Sequence, residues 1–162
     1  MVKLSLSADV LKALAGKRLA TAESLTGGGI GQAVTSVSGA SAVFAGGVIS
    51  YTNEVKHNVL GVPQELLDEF GAVSAPVARA MAEGARKALN CDIALSSTGV
   101  AGPDSDDRGN EVGTMFVAIA TPEGTHVRPL NLGIRPMRGR LRTQTASNAF
   151  DLARRYLSGL PY

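Results

Sequence analysis

Apolar residues recur along this chain in two patterns, and each pattern predicts one kind of secondary structure. Leu6, Val10 and Leu14 lie at helical spacing and predict a first helix over 5–15. Short continuous apolar runs predict buried strands instead. Over the whole chain, the patterns predict helices at 5–15, 30–37, 53–60, 63–70, 75–89 and 138–157, and strands at 19–22, 43–51, 92–97, 112–121 and 125–132.

The order of these elements indicates an α/β fold. Strands alternate with helices through the first two thirds, and a turn at 122–124 then joins the last two strands as an antiparallel hairpin. We therefore expect a mixed sheet with helices on both faces. Gly46 and Gly47, inside the second strand, predict a bulge or a close approach by a neighbouring backbone segment. At 162 residues, the chain is expected to form a single domain over 1–162.

The stretch from Ala22 to Gly29, Ala-Glu-Ser-Leu-Thr-Gly-Gly-Gly, joins the first strand to the helix that follows. A strand, a turn of small residues and a helix start can direct backbone N–H groups into a cleft, and glycines let a ligand approach the backbone. Ser24 and Thr26 add hydroxyl groups at the same edge. The alternative is an ordinary helix start with a Ser or Thr N-cap and turn glycines. The spacing matches neither the Rossmann nor the P-loop motif.

Two further stretches are predicted to meet this loop. The segments 51–57 and 98–103 each follow a strand, and the carboxyl ends of parallel strands share one edge of a sheet. Ser24 is a candidate nucleophile only if a base lies within hydrogen-bond reach. Lys56 can be that base if burial or a second cation lowers its pKa, and Tyr51 can relay the proton. The alternatives are a solvated helix lysine and a strand tyrosine with an exposed hydroxyl.

Composition narrows the classes of function. Lys and Arg number 16 against 14 Asp and Glu, and aromatic residues make up 4%, which does not favour nucleic-acid binding. Cys91 is the single cysteine, which excludes an internal disulfide, and we expect a small buried hydrophobe there. The chain lacks a signal-like start and a bilayer-length apolar run, so we expect a cytoplasmic protein without membrane association. One or two phosphate-facing arginines on a protein of balanced charge fit a small phosphorylated ligand better than a duplex, and the candidates are Arg135, Arg138, Arg140 and Arg142.

The sequence predicts neither a metal nor another cofactor. The two histidines, His57 and His126, lack a paired carboxylate at ligand spacing. Asp104, Asp106 and Asp107 lack the spacing and the closing glutamate of an EF-hand, which favours a solvated acidic loop.

Taken together, five ordered motifs resemble the CinA C-terminal domain family. The resemblance covers about 11–157 and rests on Ala22-Glu-Ser-x-Thr-Gly-Gly28, Tyr51-x-Asn-Glu-x-Lys56 with Leu60-Gly-Val62, Gly71-Ala-Val-Ser74, Thr98-Gly-x-Ala-Gly-Pro103 and Val112-Gly-Thr114. It implies a three-layer α/β/α sandwich with a mixed, mostly parallel sheet, in a homodimer or higher homo-oligomer. The family includes stand-alone nicotinamide-nucleotide amidases. The implied reaction is hydrolysis of the carboxamide of nicotinamide mononucleotide, giving nicotinic acid mononucleotide and ammonia.

The resemblance also implies roles for individual residues. Ser24 and Lys56 form a catalytic pair assisted by Tyr51, and ligand contacts fall at Thr26, Gly27, Gly28, Asn53, Thr98 and Arg138. In the resulting hypothesis, neutral Lys56 takes the Ser24 proton directly or through Tyr51, and Ser24 attacks the amide. N–H groups at 26–29 hold the oxyanion, and Arg138, with Thr98 nearby, holds the 5′-phosphate or orients the ribose.

Three positions depart from the family pattern. Leu25 replaces a usual Cys, 104–108 introduce charges where the family is glycine-rich, and Pro136-Met137 replaces Gly-Asp before Arg138. These departures bear on substrate choice and affinity. The alternative to an amidase is a catalytically silent module that binds a pyridine nucleotide or serves protein partners.

Overall fold

The computed structural model describes residues 4–133 and 137–162, so Arg135 and Pro136 lie outside the described residues. The predicted elements are present with small shifts at their ends, and the last helix has the predicted bounds. The helices are α1 (Leu4–Leu14), α2 (Gly29–Thr35), α3 (Asn53–Asn58), α4 (Gln64–Phe70), α5 (Ala75–Ala88) and α6 (Arg138–Leu157). The strands are β1 (Leu19–Glu23), β2 (Phe44–Ile49), β3 (Ile93–Gly99), β4 (Thr114–Thr121) and β5 (Gly124–Asn131).

The strands form one sheet in the order β2-β1-β3-β4-β5. β1 runs parallel to β2 and to β3, whereas β4 is antiparallel to both of its neighbours. Four of the five strands therefore point the same way, which confirms the mixed, mostly parallel sheet. The chain leaves β1 towards β2 and returns on the other side to β3. This reversal opens a crevice beyond the carboxyl ends of β1 and β3, where open α/β sheets bind ligands.

Helices cover both faces of the sheet, which confirms the three-layer arrangement. On one face α2 and α6 pack on the strands, with α1 against these two helices, and on the other face α5 packs on the strands. Each face of the sheet packs against its helices in a separate hydrophobic core. β3 contributes to both cores, because successive side chains of a strand point to opposite faces. Ile93 and Leu95 join the core with Phe150 of α6, while Ala94 joins the core with Met81 of α5.

The bulge, one of the two alternatives predicted for the glycines inside β2, is confirmed. The register passes from Leu19 opposite Phe44 to Ala20 opposite Gly46, so β2 carries one extra residue and bulges there. A Cβ on Gly47 would lie 2.1 Å from Oγ1 of Thr21. The side chain of Thr21, rather than the backbone of β1, therefore fills the space beside Gly47.

Gly84 allows the segment after α3 to pack directly on α5. A Cβ at this position would lie 1.9 Å from the carbonyl oxygen of Leu60, two residues beyond the end of α3. Any side chain at this position would push the Leu60 backbone away from α5, because backbone cannot move aside as a flexible side chain can. Glycine therefore permits the close contact that supports α3 and its Lys56.

Gly84→Ala is expected to destabilise the domain by about 2–3 kcal/mol, although alanine favours helix, because the added methyl group would displace backbone. Gly139→Ala is the matched control, since a Cβ at that helical position meets no described atom within 4 Å. It should leave stability unchanged or raise it by up to about 1 kcal/mol. Denaturant unfolding of both variants checks this, and equal effects would contradict the proposed close packing.

Candidate active site

Ser24 lies at the carboxyl end of β1 and is held there by its backbone. Its N–H donates to the carbonyl of Ser97 in β3 at 3.0 Å, and its own carbonyl accepts from Gly27 at 3.0 Å. The turn needs left-handed backbone at Gly27 (φ +57°) and Gly28 (φ +94°), which only glycine adopts without strain. The sequence therefore places a fixed, largely buried hydroxyl at the crevice between β1 and β3.

Lys56 is buried beside Ser24. Thr52 caps α3 by accepting from the N–H of Val55 at 3.2 Å, and the helix turns Lys56 inward so that 1% of its surface is exposed. Its Nζ lies 3.2 Å from Oγ of Ser24, 2.7 Å from the carbonyl oxygen of Ser50 and 3.3 Å from that of Tyr51. The alternative of a solvated lysine is therefore wrong.

The charge of Lys56 lacks a counter-ion within the described part of the chain, where each salt bridge involves Asp151. Burial without a carboxylate at ion-pair distance favours the neutral amine. It lowers the pKa of Lys56 from 10.5 to about 8. A lysine in this state can accept a proton near neutral pH, which an ordinary lysine cannot.

Tyr51 and Arg138 meet at the mouth of the site. Arg138, at the start of α6, donates to the carbonyl of Gly102 and, at 3.4 Å, to the Tyr51 hydroxyl. The Tyr51 side chain is exposed, and the residue reaches Lys56 through its backbone carbonyl. A proton relay through the Tyr51 hydroxyl stays a prediction.

These side chains line one cleft of about 340 Å³, a volume suited to a small ligand. Thr98 contributes to its wall, and its hydroxyl donates to the carbonyl of Ala72 at 2.7 Å. The structure thus brings together five of the residues singled out from the sequence: Ser24, Tyr51, Lys56, Thr98 and Arg138. A larger groove of about 660 Å³ lies against α5, but its walls pair no nucleophile with a base.

Comparison with known proteins decides the family. The family model of the CinA C-terminal domain matches residues 3–157. A putative competence-damage inducible protein from Caldanaerobacter subterraneus is 48% identical over 144 residues, which cover 89% of this chain and 34% of the relative. The chain belongs to the CinA C-terminal domain family. A CinA-like protein from Parasynechococcus marenigrum is 46% identical over 155 residues, 94% of this chain and 37% of the relative.

Solved structures agree with this assignment. A CinA superfamily protein from Klebsiella pneumoniae has a TM-score of 0.93 at 28% identity, covering 98% of this chain and 99% of that one. The competence/damage inducible protein CihA from Agrobacterium tumefaciens has a TM-score of 0.90 at 33% identity, covering 96% and 94%. This CinA domain spans about a third of the length of the curated relatives that it matches. Among its described helices, none is long and apolar enough to cross a bilayer.

Four residues with implied ligand contacts do not line the cleft of this CinA domain. The Thr26 hydroxyl donates to Glu23 and accepts from Ser97, both at 2.7 Å. Asn53 is exposed at the start of α3, and Gly27 and Gly28 form the turn beyond Ser24. A ligand contact at these four positions stays a prediction.

Glu23 is an important residue of the CinA domain that sequence reasoning missed. Its buried carboxylate accepts from the N–H groups of Ile30 at 2.9 Å and Gly31 at 2.8 Å, as well as from Thr26. The sequence predicted that N–H groups at the start of α2 could bind an anionic ligand. Two of these groups instead bind the carboxylate of Glu23. An acidic residue just before a glycine turn was the available signal.

The turn's own hydrogen bonds narrow the oxyanion prediction. The N–H groups of Gly27 and Gly29 donate to carbonyls within the turn, whereas those of Leu25, Thr26 and Gly28 have no acceptor among residues 4–133 and 137–162. Arg142 fixes this part of the CinA domain from outside. It donates to the carbonyl of Leu25 at 2.9 Å and to that of Thr26 at 3.1 Å.

Lys56→Met is expected to raise the free energy of unfolding at pH 7 by roughly 1–3 kcal/mol, because a buried ammonium is removed. The sign follows from linkage. The pKa of Lys56 is about 8 in the folded protein, against 10.5 for an ordinary lysine. Between pH 8 and 10.5 the folded state therefore binds fewer protons than the unfolded state does. Below pH 8 Lys56 is protonated in both states, and its burial lowers the free energy of unfolding by the full amount.

Wild-type stability should accordingly rise between pH 8 and 10.5, so the advantage of Lys56→Met should shrink there. Denaturant unfolding across this pH range measures the effect, with Lys12→Met, at an exposed lysine of α1, as the control. A constant difference between Lys56→Met and wild type would contradict a buried, uncompensated amine.

Proposed function

We propose that this CinA domain is an amidohydrolase that converts nicotinamide mononucleotide and water to nicotinic acid mononucleotide and ammonia. The observation that carries the proposal is the contact between Lys56 and Ser24. A buried amine with a lowered pKa lies 3.2 Å from a hydroxyl in a cleft of ligand size. Serine–lysine pairs of this kind activate a hydroxyl for attack on acyl carbons.

The hydrogen bonds around Lys56 suit a neutral amine. A neutral amine has two N–H donors and one lone pair. The carbonyls of Ser50 and Tyr51 accept the two donors, which leaves the lone pair for the hydroxyl of Ser24. In that state Ser24 donates its proton to Nζ, as a general base requires. The short direct contact makes Lys56 itself, rather than Tyr51, the preferred acceptor of the proton.

The reaction then follows in two stages. Ser24 attacks the carboxamide carbon as its proton moves to Lys56, and the protonated amine returns the proton to the departing nitrogen as ammonia leaves. Water, deprotonated by the same amine, attacks the acyl-enzyme, and the protonated amine returns this proton to the oxygen of Ser24 as the acyl bond breaks. The product acid is released and ionises to the carboxylate. The N–H groups of Leu25 and Thr26, which have no acceptor among the described residues, are the donors that we propose for the oxyanion, because they directly follow Ser24 in the turn.

Arg138 supplies the positive charge for the nucleotide phosphate. Its guanidinium is held at the mouth by Gly102 and Tyr51, which use two of its five N–H donors. The remaining donors can bind a phosphate, and Thr98 stands on the same cleft wall. Such an arrangement anchors the far end of the substrate while Ser24 reacts with the carboxamide.

Ser24→Ala is expected to lower the rate of ammonia release by several orders of magnitude, up to about 10⁶-fold, because no other hydroxyl of the described residues contacts Lys56. Ser41→Ala, at an exposed serine, is the control and should keep full activity. A coupled ammonia assay on purified protein, with calorimetry for binding, measures both. Binding without turnover in wild type would instead indicate a silent pyridine-nucleotide module.

The pH profile tests the base independently. Since burial lowers the pKa of Lys56 to about 8 and only the neutral amine can accept the proton, kcat/KM should rise about tenfold per pH unit below 8 and level off above it. Rates measured from pH 6 to 10 give the profile. A profile that falls over this range would rule out the amine as base.

A further inference from the structure

A carboxylate stands on the wall of the same cleft without a partner. Asp104 lines the cleft together with Ser24, Lys56 and Arg138. Its side chain makes no hydrogen bond or ion pair with any residue that the structure describes. Resting on the function proposed above, we infer that Asp104 determines specificity. It selects substrates whose carboxamide is attached to a positively charged ring, such as the pyridinium of an oxidised nicotinamide nucleotide.

The neighbouring acid shows why Asp104 is distinct. Asp106 also lines the cleft, but its oxygens accept from Arg108 N–H at 3.1 Å, from Asn110 N–H at 2.7 Å and from the Asn110 amide at 2.8 Å. Its oxygens are therefore engaged within the loop. Asp104 has no comparable role in holding the loop together, so its charge is available to a ligand.

The loop that carries Asp104 is fixed to the body of the domain. The Arg108 guanidinium donates to carbonyls at the end of α4, those of Leu67, Asp68 and Glu69. This is a favourable position for a cation, because the last carbonyls of a helix lack partners. The anchor holds the acidic loop against the cleft, so the charge of Asp104 is presented by a supported segment.

The charges in the cleft fit a substrate with both signs. Arg138 attracts a phosphate, and Asp104 on the same cleft would weaken that attraction for a ligand that carries only negative charge. A pyridinium nucleotide carries a phosphate at one end and a cationic ring, bearing the carboxamide, at the other. Its ring charge offsets the carboxylate of Asp104, which a neutral dihydropyridine ring cannot do.

The ring cation also lies close to the reacting group. In such a substrate the carboxamide is bonded to the charged ring, so the ring enters the cleft that holds Lys56. An ammonium at Lys56 and a cationic ring repel each other, which favours the neutral amine. Asp104 lowers the cost of bringing a second cation into this cleft.

The test compares two ligands that differ in ring charge: nicotinamide mononucleotide and its reduced form, which keeps the carboxamide, ribose and phosphate but has a neutral ring. Binding of each is measured by calorimetry in the Ser24→Ala background, with and without Asp104→Asn. The asparagine keeps the shape and removes the charge. Asp107→Asn, at an exposed acid of the same loop that does not line the cleft, is the matched control.

Asp104→Asn should weaken binding of the cationic ligand roughly three- to tenfold and leave the neutral ligand unchanged or bound more tightly. Asp107→Asn should change neither. Equal effects on both ligands, no effect, or tighter binding of the cationic ligand would overturn the inference. Ammonia release from the Ser24 protein is scored separately. Selective binding without turnover upholds the role of Asp104 while the amidase fails, and failure to bind either ligand rejects both.

Discussion

The candidate site depends on a lysine that is buried without a carboxylate. The fold satisfies Lys56 with neutral oxygens, two backbone carbonyls and one hydroxyl, rather than with an ion pair among the described residues. A carboxylate at this place would hold the proton on the amine and raise its pKa. Neutral acceptors leave desolvation unopposed, and the pKa of Lys56 falls to about 8. The lack of a counter-ion destabilises the folded protein, and it also lets the amine act as a base.

The rest of the architecture keeps this unfavourable arrangement in place. α3 is short, with six residues from Asn53 to Asn58, and could not hold a buried amine by itself. Thr52 caps its start, and the Leu60 segment beyond its end packs on the bare backbone of Gly84. Ser24 is fixed separately, through its N–H, to the neighbouring strand β3. Two independent supports therefore meet at one contact of 3.2 Å.

Much of this could be predicted from the sequence because the decisive signals are local. The buried strands are continuous apolar runs, and their order places the loops after β1, β2 and β3 at one edge of the sheet. Gly46 and Gly47 indicated the bulge in β2, where the backbone at Gly46 has a positive φ of 141°. The convergence of these strand ends made Ser24 and Lys56 candidates for one site, and the family resemblance implied that they form a pair.

What could not be predicted depends on contacts between distant segments. Residue type favours an exposed Lys56, and its burial follows from how α3 rests against the ends of β1 and β2. The helix pattern offered free N–H groups at the start of α2, but Glu23 folds back onto them from the preceding strand. Arg142, more than a hundred residues away, holds the carbonyls of the same turn. Whether a backbone donor is free is a property of the folded chain.

Glu23 and Arg138 determine which end of the cleft attracts an anion. Glu23 neutralises the start of α2 behind Ser24, so that helix no longer attracts an anion to the reacting end of the cleft. The attraction for an anion lies instead at the mouth, where Arg138 is held by Gly102 and Tyr51. Under the proposed function, a phosphorylated ligand is therefore drawn in with its phosphate outward. Ser24 and Lys56 are left to the end of that ligand that carries the carboxamide.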